Sequence, residues 1–261
     1  MKNCVVSTTP DQSITYTDGI FGLTDKELSE IARAVSDSTD VTSATTEVWV
    51  SGVDRHISVG SRLVRLIDDI PYSFQLMGFN HYELTSPLAY GEVTRTGKAG
   101  LLFQMTVSLP RERRITAGSS TCFVWRDSEL RKACGRLCRH LPRQMQPILK
   151  NVRIPAAAYG EDEQVESVDD VLFIPSEYEV FGCSAFARVD EGAQYAWYAM
   201  HNDDASRIKM CEGFDEWWWT RSPGEQLDPS RSPDFCRVSK DGTPVSGDPA
   251  YAGGVAPCFC I

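Results

Sequence analysis

The last third of the chain constrains its fold most, because residues that break regular structure dominate part of it. Between Arg221 and Gly254, five Pro, five Ser, five Gly and four Asp account for 19 of 34 residues. These residue types favour turns and bring little apolar surface to a core. We therefore predict a long loop region there, held on a scaffold by apolar anchors such as Phe235 and Val238.

Three consecutive tryptophans precede this region and predict the start of a strand. Alternation along a strand gives Trp217 and Trp219 one face, and Trp218 with Thr220 the other. Large aromatic side chains dominate core burial. We therefore expect the Trp217–Trp219 pair to lie in the core rather than to form a stacking platform for sugars.

The charge balance excludes one class of partner. The chain has 26 Lys and Arg against 36 Asp and Glu, a formal net charge of −10. Binding to a phosphate backbone requires clustered basic residues, so no nucleic-acid partner is expected.

No apolar stretch approaches the ~18 residues of a membrane-spanning helix, so no membrane insertion is expected. The first residues lack the apolar core and cleavage site of a signal peptide.

The N-terminal region predicts a helix followed by a linker. Thr24 and Glu27 fit a capping box, and apolar residues at helical spacing follow, which predicts an amphipathic helix over residues 25–37. The stretch from Ser36 to Thr46 is rich in Ser, Thr and Asp. We therefore predict an N-terminal arm and helix over residues 1–47, separable from a domain over residues 48–261.

Short strands are predicted on both sides of two helices, which indicates an α+β fold. Residues 62–67 and 72–77 have the pattern of a hairpin joined by Asp68–Pro71. A further strand is predicted within Gly97–Leu109. The apolar segment Val255–Ile261 is predicted to be the closing strand of a sheet.

Two helices are predicted between these strands. Asp127 or Ser128 can cap the first, and Pro142 suits the first turn of the second, whose inner face extends to Val152. The stretch from Glu161 to Asp170 is then predicted to be a solvated acidic loop rather than a catalytic pair of carboxylates.

The nine cysteines and four histidines show no spacing typical of a metal or redox site. Cys134 and Cys138 are four residues apart, and Cys258 and Cys260 are two apart, so neither pair is a Cys-x-x-Cys motif. We expect them to be core thiols. The nucleophile, phosphate-loop, dinucleotide and zinc-protease motifs are also absent. No catalytic residue, metal or cofactor is therefore expected, and the chain is not expected to be an enzyme.

Short blocks in a fixed order carry a resemblance to a known family over about residues 55–261. The blocks are Met77–His81, Gly97–Met105, Trp125 with Ser128–Arg131, Leu141–Pro142, Phe173–Gly182, Glu191–Tyr195, Trp217–Pro223, Phe235–Gly242 and Gly254–Pro257. Together they resemble the C-type-lectin-like domain of phage and prophage proteins from gut Firmicutes. In many members of that family, a diversity-generating retroelement rewrites codons near the 3′ end of the gene.

The resemblance implies a C-type-lectin-like fold with short antiparallel strands, two helices and a long anchored C-terminal loop region, variable over about residues 217–261. It also implies a non-enzymatic display protein that binds a protein or cell-surface ligand through an exposed variable face. The residues expected on that face are Thr220, Glu225, Gln226, Asp228, Ser230, Arg231, Asp234, Arg237, Ser239, Lys240, Thr243, Ser246, Asp248 and Tyr251.

Two departures from relatives limit what the resemblance implies. The sequence lacks the Glu-Pro-Asn, Gln-Pro-Asp and Trp-Asn-Asp triplets that provide oxygen ligands to calcium in animal lectins, so calcium-dependent sugar binding is not expected. One enzymatic branch of the fold uses a reactive cysteine pair. Cys258 and Cys260 have no neighbouring Lys, Arg or His that would lower a thiol pKa.

Two alternatives remain open. The chain could be a structural virion protein, such as a tail or head decoration, with the same fold and no hypervariable binding. An ordinary flexible loop would also explain the composition of the C-terminal region. Whether the chain is a phage display protein or a structural virion protein, we expect it in the virion, or in the host cytoplasm before lysis. Its N-terminal segment is expected to attach it to the virion or to further copies of the chain.

Overall fold

The computed structural model describes residues 22–38, 44–50, 53–85, 97–117, 121–158, 164–225, 228 and 230–261. These residues form a mixed α+β structure, which confirms the predicted fold class at that level. The α-helices are α1 (Asp25–Asp37), α2 (Glu129–Leu137), α3 (Glu177–Phe181) and α4 (Ala196–Met200). The strands are β1 (Thr45–Val50), β2 (Val53–Ser58), β3 (Arg62–Ile67), β4 (Ile70–Phe79), β5 (Glu83–Leu84), β6 (Leu101–Met105), β7 (Leu109–Arg113), β8 (Val152–Ala157), β9 (Val165–Asp170), β10 (Leu172–Phe173), β11 (Lys209–Cys211), β12 (Phe214–Glu216), β13 (Trp218–Pro223), β14 (Phe235–Val238), β15 (Pro244–Gly247), β16 (Gly253–Val255) and β17 (Cys258–Cys260).

Two five-stranded sheets organise the described residues. The core sheet has the strand order β10-β17-β6-β4-β3, and the C-terminal sheet has the order β15-β14-β13-β16-β7. In the core sheet, Phe259 of β17 pairs with Phe103 on one side and with Leu172 on the other. The prediction that the terminal segment forms a strand of a sheet is therefore confirmed, and β17 lies inside the sheet rather than at its edge.

One face of the core sheet holds the main aromatic core. The Phe259 ring packs against Phe74 and Phe103 at centroid distances of 5.1 and 5.4 Å, and all three side chains are fully buried. Such aromatic pairs stabilise a core beyond the area that they bury. This face connects β4, β6 and β17, which are far apart in the sequence.

The predicted capping box starts α1 as expected. The Thr24 side chain accepts a hydrogen bond from the backbone N–H of Glu27 at 3.3 Å, and the Glu27 carboxylate accepts one from the backbone N–H of Thr24 at 2.9 Å. Each side chain thus satisfies a backbone donor that the first helical turn leaves unpaired. The helix spans Asp25–Asp37, the range that the apolar spacing predicts.

The predicted hairpin is also present, with a turn of two residues. Ile67 pairs with Ile70 at its end, which leaves Asp68 and Asp69 as the loop. Both aspartates have positive φ, of 49° and 64°. Positive φ at both positions is the geometry of a type I′ turn, whose twist matches that of the flanking strands.

Helix α1, which lies before the predicted boundary at residue 47, packs into the core. Ile31 and Val35 are fully buried, and the Asn80 amide donates to the carbonyl of Val35 at 3.0 Å. The helix backbone also approaches Gly100 so closely that a Cβ there would lie 1.9 Å from the carbonyl oxygen of Ala32. The helix and the core sheet therefore form one packed unit. Residues 39–43 of the predicted linker, and the predicted arm over residues 1–21, lie outside the described residues.

The prediction of a second helix from Pro142 to Val152 is wrong. The structure has only a 3-10 turn at Gln146–Ile148, and Val152 already begins β8. Pro147 lies inside that turn, and a proline in a helix interior removes a hydrogen bond and clashes with the preceding turn.

Among the described residues, no helix is both long and apolar enough to cross a membrane.

Two loop predictions are also corrected. The expected acidic loop from Glu161 to Asp170 contains β9, which pairs with β8. The expected loop region between Arg221 and Gly254 contains β14, β15 and the start of β16, and the first two form an antiparallel hairpin. Short strands with few apolar residues give a weak sequence pattern, and long-range pairing forms them here.

Candidate interaction surface

Strand β13 is the buried centre of the C-terminal sheet. Trp218 and Trp219 both have 0% exposed surface, and every residue of β13 is buried. Trp217, just before the strand, is half-buried and meets Trp219 edge to face with ring centroids 4.9 Å apart. The expected core position is thus confirmed for Trp219, whereas Trp217 keeps part of its surface exposed.

Arg237 lies over this tryptophan pair. The register pairs Arg237 of β14 with Trp219 of β13, so both side chains lie on the same face of the sheet. The guanidinium carbon is 4.4 Å from the Trp217 ring centroid and 5.9 Å from that of Trp219, which is the geometry of a cation–π contact. A Cβ at Gly253 would lie 2.2 Å from the Trp217 ring, so a larger residue there would displace that ring.

Two donors in this cluster have no partner among the described residues. They are the indole Nε1 of Trp219 and the guanidinium Nε of Arg237, both of which are buried atoms. A buried donor without an acceptor costs free energy. Arg237 and Trp219 thus each have a buried donor that the described part of the protein does not use.

A buried ion pair holds β13 to helix α3. Arg221 donates through Nη1 and Nη2 to the two carboxylate oxygens of Glu179, at 2.7 and 2.6 Å. It also donates to the carbonyls of Pro155 and Ile174, each at 3.0 Å. The Tyr82 hydroxyl donates to Glu179 at 2.7 Å. Arg221 is therefore a structural residue rather than part of an exposed face.

The pKa of Glu179 reflects this pairing. Burial alone would raise it, but the charge and hydrogen bonds of Arg221 outweigh burial and hold the pKa below its ordinary value. Glu191 lies nearby and accepts hydrogen bonds from Ser222 and from the backbone N–H of Ala157. Burial raises the pKa of Glu191, because Arg221 only partly offsets the loss of solvent.

Most residues predicted for the ligand-binding face are accessible in the structure. Those that are exposed are Glu225, Asp228, Ser230, Arg231, Asp234, Lys240, Asp248 and Tyr251. Those that are half-buried are Arg237, Ser239, Thr243 and Ser246. Gln226 lies outside the described residues.

The prediction that Thr220 lies on the ligand-binding face is wrong. Thr220 has no exposed surface, and its hydroxyl donates to the carbonyl of Cys236 at 2.8 Å across the neighbouring strand. The alternation argument places Thr220 on the face opposite Trp219, and both faces of β13 are covered. Thr220 therefore cannot contact a ligand from this position.

Several of these accessible side chains stabilise their own turns. Asp248 accepts from the backbone N–H of Ala250 at 2.8 Å, and Asp228 accepts from that of Ser230 at 2.9 Å. Ser239 also accepts from the backbone N–H of Thr243 at 3.2 Å. Such side-chain caps are typical of Asp and Ser in turns. These residues thus have a local structural duty besides their exposure.

Eight of the twelve accessible residues lie in the connections at the two ends of β14. Glu225 to Asp234 belong to the connection before the strand, and Ser239 to Thr243 to the turn after it. The strand between them has four residues, or about 10–13 Å at ~3.3 Å per residue. A protein–protein interface of ~800 Å² per partner is wide enough to include both ends.

The thiols of the terminal strand do not form a reactive site. Cys258 and Cys260 are both buried, and burial raises the pKa of each thiol above its ordinary value. A thiol with a raised pKa is protonated at neutral pH and is a poor nucleophile. In the ranges that the structure describes, no three His, Cys, Asp or Glu side chains group in a way that could hold a metal ion.

Comparisons with known proteins identify a family without an assigned activity. Searches of curated proteins and of solved structures found no significant match to the chain. The family model described as "Domain of unknown function (DUF6273)" matches residues 100–261, which include the C-terminal sheet and three of the five strands of the core sheet. Because this match covers more than half of the sequence, the chain belongs to the DUF6273 family.

Proposed function

We propose that this chain is a non-enzymatic binding protein with a C-type-lectin-like fold, whose C-terminal sheet displays side chains to a protein or cell-surface ligand. We further propose that it is a phage or prophage variable protein, diversified by a retroelement over about residues 217–261. The sequence resemblance supports both parts, and the arrangement of the C-terminal sheet supports the display role.

The observation that supports the proposal most is the separation of buried anchors from exposed residues along one short segment. Phe235 and Val238 have no exposed surface, whereas Asp234 and Lys240 are exposed on either side of them. Changing an exposed residue leaves no cavity, so its cost in folding free energy is small. A protein can therefore vary such residues while its scaffold stays folded.

The chemistry of the exposed set is suited to a protein ligand. Arg231, Lys240 and Tyr251 bring charge and an aromatic ring, and Tyr251 is 60% exposed. Arg237, which stacks on Trp217, is half-buried at the edge of this set. Aromatic and Arg side chains among small polar residues are enriched in adaptable binding surfaces.

One observation favours a second candidate, a structural virion protein with the same fold. Asp228 and Asp248 hold their own turns through side-chain hydrogen bonds. A position that caps a turn is less free to vary than one without such a role. If most exposed residues have such roles, the surface is a fixed one, suited to a constant partner in a virion.

The nucleotide sequence around the gene tests diversification. The proposal predicts a near-identical repeat of the last ~100–150 bases beside a reverse-transcriptase gene, differing from the coding copy at adenines. Codons for Glu225, Arg231, Lys240 and Tyr251 should coincide with variable positions, and those for Trp219 and Phe235 should not. Repeat differences spread equally over anchors and exposed positions would contradict diversification of this face.

A displayed library tests the binding role. Randomising Glu225, Arg231, Asp234, Lys240 and Tyr251 on the surface of yeast should give mostly protease-resistant clones, and selection on immobilised lysozyme should yield binders. A matched library at Trp219, Phe235 and Val238 should give protease-sensitive clones. A first library that is equally protease-sensitive, or that yields no binder, would contradict the display role.

A further inference from the structure

A polar cavity of about 250 Å³ lies on the core sheet, on the face opposite the phenylalanine core. Residues of β3, β4 and β6 form its floor, and residues of α4 and of the segment 205–209 cover it. Its volume is just below the ~300–1,000 Å³ of most small-molecule sites. The cavity is therefore large enough for a small ligand, and none of the residues of the proposed display face lines it.

The floor of the cavity is a row of polar side chains on neighbouring strands. Arg62 pairs with Gln75, and Gln75 pairs with Gln104, so the three side chains follow one line across the sheet. Their sequence neighbours, such as Phe74 and Phe103, point to the opposite face and fill the core. A sheet face covered by a helix is normally apolar. This polar row is thus an exception within the core sheet.

Lys209 brings a buried positive charge to the same cavity. Its side chain is only 6% exposed. The ammonium donates to the carbonyl of Met105 at 2.7 Å and lies 5.3 Å from the Trp218 ring centroid. Burial lowers the pKa of Lys209 to about 8, which still leaves the amine mainly protonated at pH 7. An ammonium has three N–H donors, and one of them is used within the described residues.

Other donors lining the cavity are also unused. The amide Nε2 of Gln75 is buried and has no hydrogen-bond partner among the described residues. Gln104, by contrast, is held in place, because it accepts from the Tyr198 hydroxyl at 2.7 Å and donates to Ala256. Arg62 is exposed at the mouth of the cavity. The cavity therefore combines two cationic side chains with an unpaired amide donor.

Among the described residues no carboxylate lines the cavity, although the chain has ten more acidic than basic side chains. Three acidic residues near the cavity are engaged elsewhere. Glu216, which pairs with Lys209 across the β11–β12 hairpin, accepts from the backbone N–H of Trp217 at 2.9 Å. Asp203 accepts from the backbone N–H of Ser206, and Asp204 pairs with Arg207. The charge of Lys209 thus has no acidic partner within the cavity, and buried charges in proteins are normally paired.

We propose that this cavity is a binding site for a small organic carboxylate, whose oxygens accept hydrogen bonds from Lys209, Gln75 and Arg62. The apolar part of the ligand then packs against Trp197, Met77 and Ile208, which line the rest of the cavity. Trp197 is fixed for such a contact, because its ring stacks on His201 at a centroid distance of 3.7 Å. The carboxylate supplies the missing counter-charge.

Titration of the purified full-length chain with benzoate at pH 7, by isothermal calorimetry, tests this site. We expect saturable one-to-one binding, and weaker or no binding of benzamide, which has the same ring without the charge. Lys209→Met should weaken benzoate binding at least tenfold, and Arg62→Gln should weaken it severalfold. Lys26→Met changes an exposed lysine of helix α1, away from this cavity, and should leave the affinity unchanged.

Each contrary result overturns the proposal. Absence of saturable benzoate binding, or equal binding of benzamide, shows that no carboxylate site exists. Binding of inorganic phosphate in place of benzoate shows an oxyanion site without an organic ligand. An unchanged benzoate affinity of a folded Lys209→Met variant shows that benzoate binds elsewhere. Should Lys209→Met fail to fold, an unchanged affinity of Arg62→Gln, which alters an exposed side chain, has the same meaning.

Discussion

Arg221 holds both carboxylate oxygens of Glu179, and neither side chain has any surface exposed to solvent. Arg221 comes from the central strand of the C-terminal sheet, and Glu179 from the short helix α3. The carbonyls of Pro155 and Ile174 accept the other guanidinium hydrogen bonds. One residue thus joins the C-terminal sheet to three other segments of the chain.

Replacing Arg221 by Met should destabilise the protein by about 3–5 kcal/mol, because Glu179 would remain buried without its counter-charge. Urea denaturation measures this loss as a change in the free energy of unfolding. Glu179→Gln should have an effect of similar size, since it leaves the Arg221 charge buried and unpaired. The control is Arg231→Met in the same segment, where the arginine is exposed. Equal stability of the Arg221 and Arg231 variants would contradict a structural role for Arg221.

Replacing Ile31 by Ala should cost about 2–5 kcal/mol, because α1 packs into the core and truncation leaves a cavity there. Lys26→Ala, on the exposed side of the same helix, should change the free energy of unfolding by less than ~0.5 kcal/mol. Thermal and urea unfolding of both variants measure the difference. A helix separable from the domain would instead tolerate Ile31→Ala without any change in the main unfolding transition.

Lys209→Met should stabilise the protein at pH 7 by about 1–3 kcal/mol, since each unit of pKa shift corresponds to ~1.4 kcal/mol. The pKa of Lys209 is about 8 in the folded chain and ~10.4 in the unfolded chain, so the unfolded state binds more protons between these values. The free energy of unfolding of the wild-type chain therefore increases relative to that of the variant as pH rises through this window. The advantage of the variant should be complete below pH 8 and nearly lost at pH 10.

Urea unfolding of the wild type and the Lys209→Met variant at pH 7 and pH 9.5 checks this prediction. The difference in unfolding free energy between the two proteins reports the titration of Lys209 alone, because the buried tyrosines and cysteines titrate in both. A difference that does not change with pH would show that folding does not lower the pKa of Lys209.

Exposed residues with and without turn contacts should differ in their effect on stability. Asp248→Ala removes the acceptor for the backbone N–H of Ala250 and should cost about 0.5–1.5 kcal/mol. Tyr251→Ala, three residues later, should change stability by less than ~0.5 kcal/mol because its side chain is largely in solvent. Equal losses for the two variants would mean that Tyr251 packs against the fold.

Local signals explain what the sequence predicts well. The capping box of α1 and the Ser128 cap of α2 depend on residues three positions apart, and both are present. The hairpin of β3 and β4 likewise depends on a short turn. Such features form wherever the chain contains them, so one sequence is enough to find them.

Features that depend on distant parts of the chain were predicted poorly. The family resemblance implies that Thr220 lies on an exposed face, but β13 has sheet neighbours on both sides and cover on both faces. The weak apolar pattern of β15 gives no strand signal, and its pairing with β14 makes the strand. The cavity at Lys209 brings together five separate segments, so no sequence window contains it.

The central claim is that exposed residues of the C-terminal sheet can change while its anchors hold the fold, and one unfolding measurement tests it most directly. A combined variant, Glu225→Ala, Arg231→Ala, Asp234→Ala, Lys240→Ala and Tyr251→Ala, is compared by urea denaturation with the single variant Phe235→Ala. We expect the combined variant to unfold within ~1 kcal/mol of the wild type, and Phe235→Ala to lose about 3–5 kcal/mol. A combined variant that loses as much stability as Phe235→Ala would contradict the claim, because the five side chains would then be part of the scaffold.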